Sequence, residues 1–291
     1  MKSSKNGPFL SIIIPTYNEE NYIESCLKSL YEQSYRNFEI IIVDDGSSDK
    51  TREIAGKFKV MLIEGKHKGP GISRNLGAKK ANGEIFIFVD ADMTFDKDYL
   101  KNLISPLLKY KKEIGATHGY EIAKNTQNIW SHLWGKIRVT ADKRIKHSPE
   151  MVLFRAIRKR NFLKMGGFDP KYGYADDQTF WLKFKVTPII AHNAICYHRN
   201  AETLKEVYKQ SRWIGSSFDK PLFRTPFIKY IIPFLLIIIS PFAIPILSFK
   251  RARKNKSWKL FFPWMFIFMT VRYMGTVSGV AQRIYFKKNI R

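Results

Sequence analysis

The stretch IFIFVDADM, Ile85 to Met93, opens on five apolar residues and closes on two carboxylates, Asp90 and Asp92, one residue apart. A short apolar run of this kind reads as a strand buried on both faces, as in a parallel sheet covered by helices. Neither acid has a basic neighbour in sequence, so two like charges leave the end of a core strand without local compensation. Upstream the same beat repeats. FLSIII (9–14) precedes a helical pattern through Ile23, Leu27, Leu30 and Tyr31, and FEIIIV (38–43) precedes a short helix in SSDKTREIAGKF. VMLI (60–63) is followed by the Gly-rich GKHKGPG, a helix ISRNLGAKKA and the strand EIFIFV (84–89). This alternation predicts a Rossmann-like α/β fold, a mostly parallel sheet with flanking helices. Such sheets bind ligands at the carboxyl ends of their strands. Those ends carry PTYNEE, DDGSSD and DADM, and acids converging on one edge predict a site.

The chain has 291 residues, with 50 Lys and Arg against 25 Asp and Glu, a net charge of +25. Such a field attracts nucleic acid, an anionic membrane surface or a phosphate-bearing substrate. Cys26 and Cys196 lie far apart with no metal-type spacing, which suits a reduced, cytosol-facing protein. The N-terminal apolar run stops at Pro15, and no signal peptide is expected there.

Composition shifts past Thr225. Tyr230 to Phe249 is twenty residues without a charge, long enough for a bilayer core of about 30 Å, but it contains Pro233, Pro241 and Pro245. The expected organisation is a catalytic domain over 1–220 and a membrane-associated segment over 221–291. That segment has hydrophobic stretches at 227–249 and 260–281 around a basic loop, 250–259. The chain before Tyr230, the loop and the tail KKNIR are all basic, and the positive-inside rule places all three on the cytoplasmic side. Two simple spans would put the loop outside. A proline-bent re-entrant hairpin with an interfacial or shallow second segment is therefore expected, against two ordinary spans or a buried soluble helix pair.

A D-x-D at a strand terminus can set both carboxylates on one side, as hard oxygen donors for Mg²⁺ or Mn²⁺ shared with phosphate oxygens. Chance surface D-x-D pairs are the plain alternative. The motifs FLSIIIPTYNEE, FEIIIVDDGSSDKT, GISRNLGAKKANGEIFIFVDADM and GGFDPKYGYADDQTFWLKF stand in an order and spacing that resemble glycosyltransferase family 2, over roughly residues 8–215. The resemblance implies the GT-A fold and an inverting, nucleotide-sugar-dependent enzyme. It implies that Pro15, Tyr17 and Glu19 line the base and ribose pocket, with Asp44 and Asp45 as base- and ribose-binding carboxylates. Arg74 is then expected near the nucleotide or its phosphates. On the same resemblance, Asp90 is expected to be shared between ribose and metal, and Asp92 to be the direct ligand of Mn²⁺ or Mg²⁺.

The family's catalytic base is the second acid of an E-D pair opening a helix; here the pair reads Asp176 and Asp177, making Asp177 the expected base. Lys183 stands where an Arg is often found. A helix N-cap is the plain alternative for the same DDQT. Arg212 and Trp213, in YKQSRWIG, resemble the end of the Q-x-x-R-W motif of membrane-bound polysaccharide synthases. Lys209 displaces the Gln, which favours transfer of a single sugar over processive synthesis. His198 is a further candidate metal ligand, whereas a structural role is the ordinary fate of a lone His. His132, His147 and His192 carry no argument. The basic stretch Lys136–Lys164 suits an anionic leaflet or simply a solvated face.

The expected partners are a UDP- or GDP-sugar donor, a lipid-linked or glycan acceptor and an anionic membrane, with the catalytic domain cytoplasmic and no nucleic acid. A nucleotidyltransferase would share the sheet but normally carries a Gly-rich, Arg/Lys-bearing loop where PTYNEE stands. Nucleic-acid binding leaves the charge-free segment and the acidic strand ends unexplained. A non-catalytic scaffold keeping the fold is the remaining alternative.

Overall fold

A computed structural model describes residues 7–135, 153–216, 226–253 and 258–286. They fall into two compact units. The first comprises residues 7–122, 153–171 and 176–198; the second comprises 123–135, 172–175, 199–216, 226–253 and 258–286.

In the first unit, β1 (Leu10–Thr16), β2 (Phe38–Asp44), β3 (Met61–Glu64) and β4 (Ile85–Phe88) pair in parallel, with α1 (Ile23–Tyr31), α2 (Thr51–Ala55) and α3 (Pro70–Lys80) in the connections. The five apolar residues after Glu84 are buried on both faces, as their run predicts. Ile85, Ile87 and Val89 enter one core cluster with Leu27 and Leu30 of α1. Phe86 and Phe88 enter the opposite one with Phe162, Phe168 and Phe180. Strand alternation divides the run between the faces.

The sheet is mixed, in the order β3-β2-β1-β4-β7-β6-β8-β5. Its second half uses β5 (Met93–Phe95), β6 (Gly115–Ala123), β7 (Ala156–Arg158) and β8 (Ile189–His198), with α4 (Tyr99–Lys109) following β5. β4–β7, β6–β7 and β5–β8 are antiparallel. The β5–β8 pairing sets Met93 opposite His198 and so brings the end of VDADM to His198. After β7 come α6 (Lys159–Lys164), a 3-10 segment (Pro170–Gln178) and α7 (Thr179–Phe184).

The second unit contains α5 (Ile129–Gly135), α8 (Leu204–Ser216), α9 (Pro226–Ala252) and α10 (Trp258–Phe286). The expected re-entrant hairpin within the first apolar segment does not form: α9 is one helix through all three prolines. Pro241 has no N–H for the carbonyl of Ile237, and the Ser240 hydroxyl donates to that oxygen instead, at 2.7 Å. α9 and α10 run antiparallel, with ring pairs Tyr230–Tyr285 and Phe249–Phe262 near opposite ends. Residues Tyr230–Ala252 and Lys259–Tyr285 are each long and apolar enough to cross a membrane. Nor are they a buried soluble pair, since Phe234, Ile238, Phe242 and Ile246 are exposed.

Candidate active site

The two acidic loops after β1 and β2 are tied together by reciprocal bonds. Asn18 N donates to Ser47 Oγ at 2.9 Å, and Ser48 N donates to Asn18 Oδ1 at 2.9 Å. Glu19 N donates to Thr51 Oγ1, Glu20 N to Asp49 Oδ2 and Lys50 N to Glu20 Oε2. Asn18 holds φ 56°, a left-handed conformation that Asn tolerates better than most residues. The motif residues thus satisfy one another's loop backbone at the carboxyl end of the sheet.

Within this frame Asp44 is buried and accepts from Ser47 N at 3.0 Å, from the Ser47 hydroxyl and from Thr16 Oγ1. Asp45, also buried, accepts from Lys68 N at 2.9 Å and Gly69 N at 2.8 Å, fastening the loop between β3 and α3. Pro15 is half-buried within β1. Half-buried Tyr17 packs its ring 4.4 Å from that of His67.

The acids of VDADM are not left to repel each other. Asp90 is gripped by two guanidiniums, Arg74 Nη2 on Oδ1 at 2.8 Å and Arg155 Nη1 on Oδ2 at 3.0 Å. Burial alone would push its carboxyl up; Arg155 and Arg74 overcome that and hold it well below the usual carboxylate range. Arg74 also donates from Nη1 to Asp176 Oδ1 at 2.8 Å, so one buried guanidinium bridges the D-x-D turn and the D-D pair. Gly71 makes the approach possible, because a Cβ there would collide with the Asp176 carboxylate. Arg155 reaches on to Glu121 Oε2 at 3.8 Å.

Asp177, next in the pair, keeps a buried Oδ1 that has no hydrogen-bond partner. Burial, then the neighbouring Asp176 charge, pushes its carboxyl up to about 7. The N-cap alternative does not form, since α7 starts at Thr179 with Gln178 at its N-cap and no side-chain cap bond. Lys183 pairs with Asp169 at 2.8 Å. A carboxyl titrating near neutrality beside fixed cations is suited to accepting a proton.

Asp92 Oδ2 lies 3.1 Å from His198 Nε2, and its Oδ1 is buried without a hydrogen-bond partner. A carboxylate oxygen beside an imidazole nitrogen, with a second oxygen unused, fits a divalent cation that takes further ligands from phosphate or water. Asp90 fits less simply, because both its oxygens already accept from guanidiniums. A second cluster of His118, Glu121 and Cys196 lies close by. Its imidazole meets Cys196 Sγ through Nδ1 at 3.4 Å and Glu121 Oε2 through Nε2 at 3.4 Å. One ligand atom from each of the three lies within 4.8 Å of the others, close enough for a single ion, although as they stand the two ring nitrogens engage different partners.

Asp90, Asp92, Asp176, Asp177, Arg74 and His198 are therefore brought together through Arg74 and the β5–β8 pairing. Arg212 and Trp213 lie on α8 in the second unit, where Arg212 donates to Gln282 of α10. The sequence reading missed Arg155, concealed in the basic run FRAIRKR, and Glu121, which no motif marks. Most of the basic stretch from Lys136, with His147, lies outside the described residues.

The parallel strands, the acid-lined edge and the D-x-D turn define a nucleotide-sugar transferase fold, and comparison with known proteins gives it a family. The model of glycosyl transferase family 2 matches residues 11–168, and the chain belongs to that family. A glycosyltransferase of Rickettsia typhi is 31% identical over 193 residues, 63% of this chain and 61% of that protein. The glycosyltransferase GlyA of Streptococcus pneumoniae is 32% identical over 131 residues, 43% of this chain but only 19% of that longer protein. Among solved structures, the mannosyltransferase PcManGT of Pyrobaculum calidifontis, in complex with GDP-Man and Mn²⁺, matches with a TM-score of 0.59 at 18% identity. That match covers 97% of this chain and 88% of the other. Staphylococcus aureus TarS 1-349, in complex with UDP-GlcNAc, matches with a TM-score of 0.52 at 20% identity, covering 96% and 92%. These likenesses carry the GT-A fold.

Proposed function

We propose that the chain is an inverting, metal-assisted glycosyltransferase moving one sugar from a UDP- or GDP-sugar to a lipid-linked or glycan acceptor at the cytoplasmic membrane face. The observation that carries this reading is Asp177, a carboxyl pushed up to about 7 with a buried, unpartnered oxygen, next to an acid locked to Arg74. Asp177 takes the proton of the acceptor hydroxyl as its oxygen attacks the anomeric carbon; the nucleoside diphosphate leaves from the opposite face with the bond's electron pair. Pro15, Tyr17, Glu19, Asp44 and Asp45 contribute the base and ribose side of the pocket. Asp176 holds Arg74 in place, and Arg74 with Asp90 orients the donor. Asp92 and His198 would hold a Mn²⁺ or Mg²⁺, with Asp90 adding a ligand only through lone pairs its guanidiniums leave, and the ion would supply charge stabilisation to the departing diphosphate. The assignment draws support from family membership and from relatives whose structures contain GDP-Man with Mn²⁺ or UDP-GlcNAc. Arg212 and Trp213 are assigned to the acceptor side, and the two apolar helices to the membrane.

The test is thermal unfolding against UDP, GDP, ADP and CMP, with and without Mn²⁺. A ligand at a hundredfold excess over its dissociation constant stabilises by about 2.7 kcal/mol. A metal-dependent rise in Tm with UDP or GDP alone is expected; no rise with any nucleotide would overturn the reading.

A further inference from the structure

We infer that the α9–α10 hairpin lies in the plane of an anionic membrane surface and does not cross it, an inference that rests on the membrane part of the function proposed above. The observation is what covers α10. At its start, α5 packs across it: His132 on Phe261, Trp130 on Trp264, Trp134 on Phe268, and the Arg272 guanidinium 4.9 Å over the Trp134 ring. Where α5 ends, α8 takes over in parallel lockstep. Gly275 lies against Tyr208 O, Gly279 against Arg212 O, and Arg283 Nη1 donates to Ser216 O at 3.2 Å. The cover runs from Phe261 to Arg283, about 35 Å at 1.5 Å per residue, longer than the roughly 30 Å hydrocarbon core.

The covering elements are unsuited to hydrocarbon. α8 exposes Lys205, Glu206 and Lys209. α5 begins in a polar knot in which Asn125 donates to Asn200 O and Glu202 Oε1 and accepts from Ser131 Oγ. If α10 crossed the bilayer along its normal, both would be drawn in with it. If it lies flat, they stay on the aqueous side for its whole length. α9 runs antiparallel beside it, with the Tyr285 hydroxyl on Tyr230 O at 2.7 Å and the Tyr273 hydroxyl on Leu236 O at 2.9 Å. Its uncovered face is apolar: Phe242 is 72% exposed, Ile238 66% and Ile246 64%.

The charge pattern selects the partner. Lys229 precedes the apolar part of α9, Lys250, Arg251 and Arg253 follow it, and the sequence after α10 ends KKNIR. A flat hairpin puts both ends of α9 on the same side, removing the conflict with the positive-inside rule that two spans create for the loop after it. Cations at both ends of a submerged apolar face fit anionic headgroups, to which polybasic segments are drawn. The apolar groove lined by Pro245, Ile246, Phe249 and Phe262 is also lined by Lys250 and Arg253, the same combination in miniature.

The test compares Ser25→Cys, exposed on α1, with Arg253→Cys, exposed at the end of α9; the native Cys26 and Cys196 are buried. The full chain is expressed, inside-out membrane vesicles are prepared, and each variant is reacted with a membrane-impermeant maleimide with and without detergent. An in-plane hairpin gives both sites the same accessibility, with detergent changing neither relative to the other. Opposite accessibilities, with Arg253→Cys released only by detergent, would overturn the inference and establish spanning. Flotation of purified chain with phosphatidylglycerol-containing against pure phosphatidylcholine vesicles tests the partner, and preference for the anionic vesicles is expected. No flotation with either would overturn the membrane reading, while a surviving nucleotide-dependent Tm shift would show that the transferase reading stands apart from it.

Discussion

Arg155 Nη1 lies 3.0 Å from Asp90 Oδ2, across 65 residues of sequence, and with Arg74 this contact neutralises the first acid of the D-x-D turn. The same guanidinium faces Glu121. Arg155→Met is therefore expected to destabilise the fold by about 3 kcal/mol, the low end for a broken buried pair, because Arg74 still holds the other oxygen. Asp90's carboxyl is depressed below its ordinary 3.8, so its stabilisation is present above that pH and is lost as pH falls. Wild type and variant should thus differ most in urea melts near neutrality and converge in acid. An equal gap at every pH would mean that Arg155 acts by packing alone.

Asp177→Asn removes the proposed base without changing its volume. The expected loss in kcat is about 10² to 10⁴-fold with KM for the donor nearly unchanged. In the wild type the rate should rise with pH through about 7, where the deprotonated form becomes the majority. If the acceptor is a phosphate oxygen, already anionic, the loss shrinks and that limb fades; comparing hydroxyl and phosphate acceptors separates the two.

The same substitution should strengthen the fold on one side of neutrality. A carboxyl whose folded pKa is raised from 3.8 to about 7 binds more protons folded than unfolded, so its burial costs stability progressively as pH rises between those values. Asp177→Asn should therefore melt higher than wild type at pH 8 and gain less at pH 4, each kcal/mol appearing as about 2–4 °C. A lower Tm at both would show that Asp177 makes a structural bond.

How far the sequence could be read depends on where each residue's partners lie. The parallel half of the sheet was legible because each strand carries its own apolar run, and the loops after β1 and β2 because their turn chemistry is local. β5 and β7 were not: each is three residues long and made into a strand only by a distant partner, Met93 by His198 and Ile157 by Phe86. At the site, type and spacing pointed to Asp90 and Asp92, and the family resemblance to Asp177. A metal was expected to neutralise Asp90 and Asp92; for Asp90 the neutralising groups are Arg74 and Arg155, 16 and 65 residues away. Tertiary ion pairs of this kind leave no periodic trace. The prolines of α9 misled for a related reason, since Ser240 repairs a carbonyl that Pro241 leaves without a donor.

Asp92 and His198 should separate donor binding from metal binding. Asp92→Asn or His198→Asn is expected to leave a weak nucleotide-induced rise in Tm that no longer depends on Mn²⁺, because the loops after β1 and β2 are intact. Retained metal dependence in both variants would move the ion to other ligands.

The close fit of α8 on α10 allows a test of the hairpin's support. Gly275 and Gly279 let the backbones of Tyr208 and Arg212 approach so nearly that a Cβ at either position would strike a carbonyl oxygen. Backbone cannot swing aside as a long side chain can, so Gly279→Val should cost the upper part of the 1–3 kcal/mol typical of overpacking, or more. In detergent, limited proteolysis should then cut α8 faster while the nucleotide-dependent shift survives. Phe242→Ser, on the uncovered face of α9, should do the reverse, leaving detergent stability unchanged and weakening flotation with anionic vesicles. If Phe242→Ser instead destabilises the chain in detergent, its face is packed against protein and not against lipid.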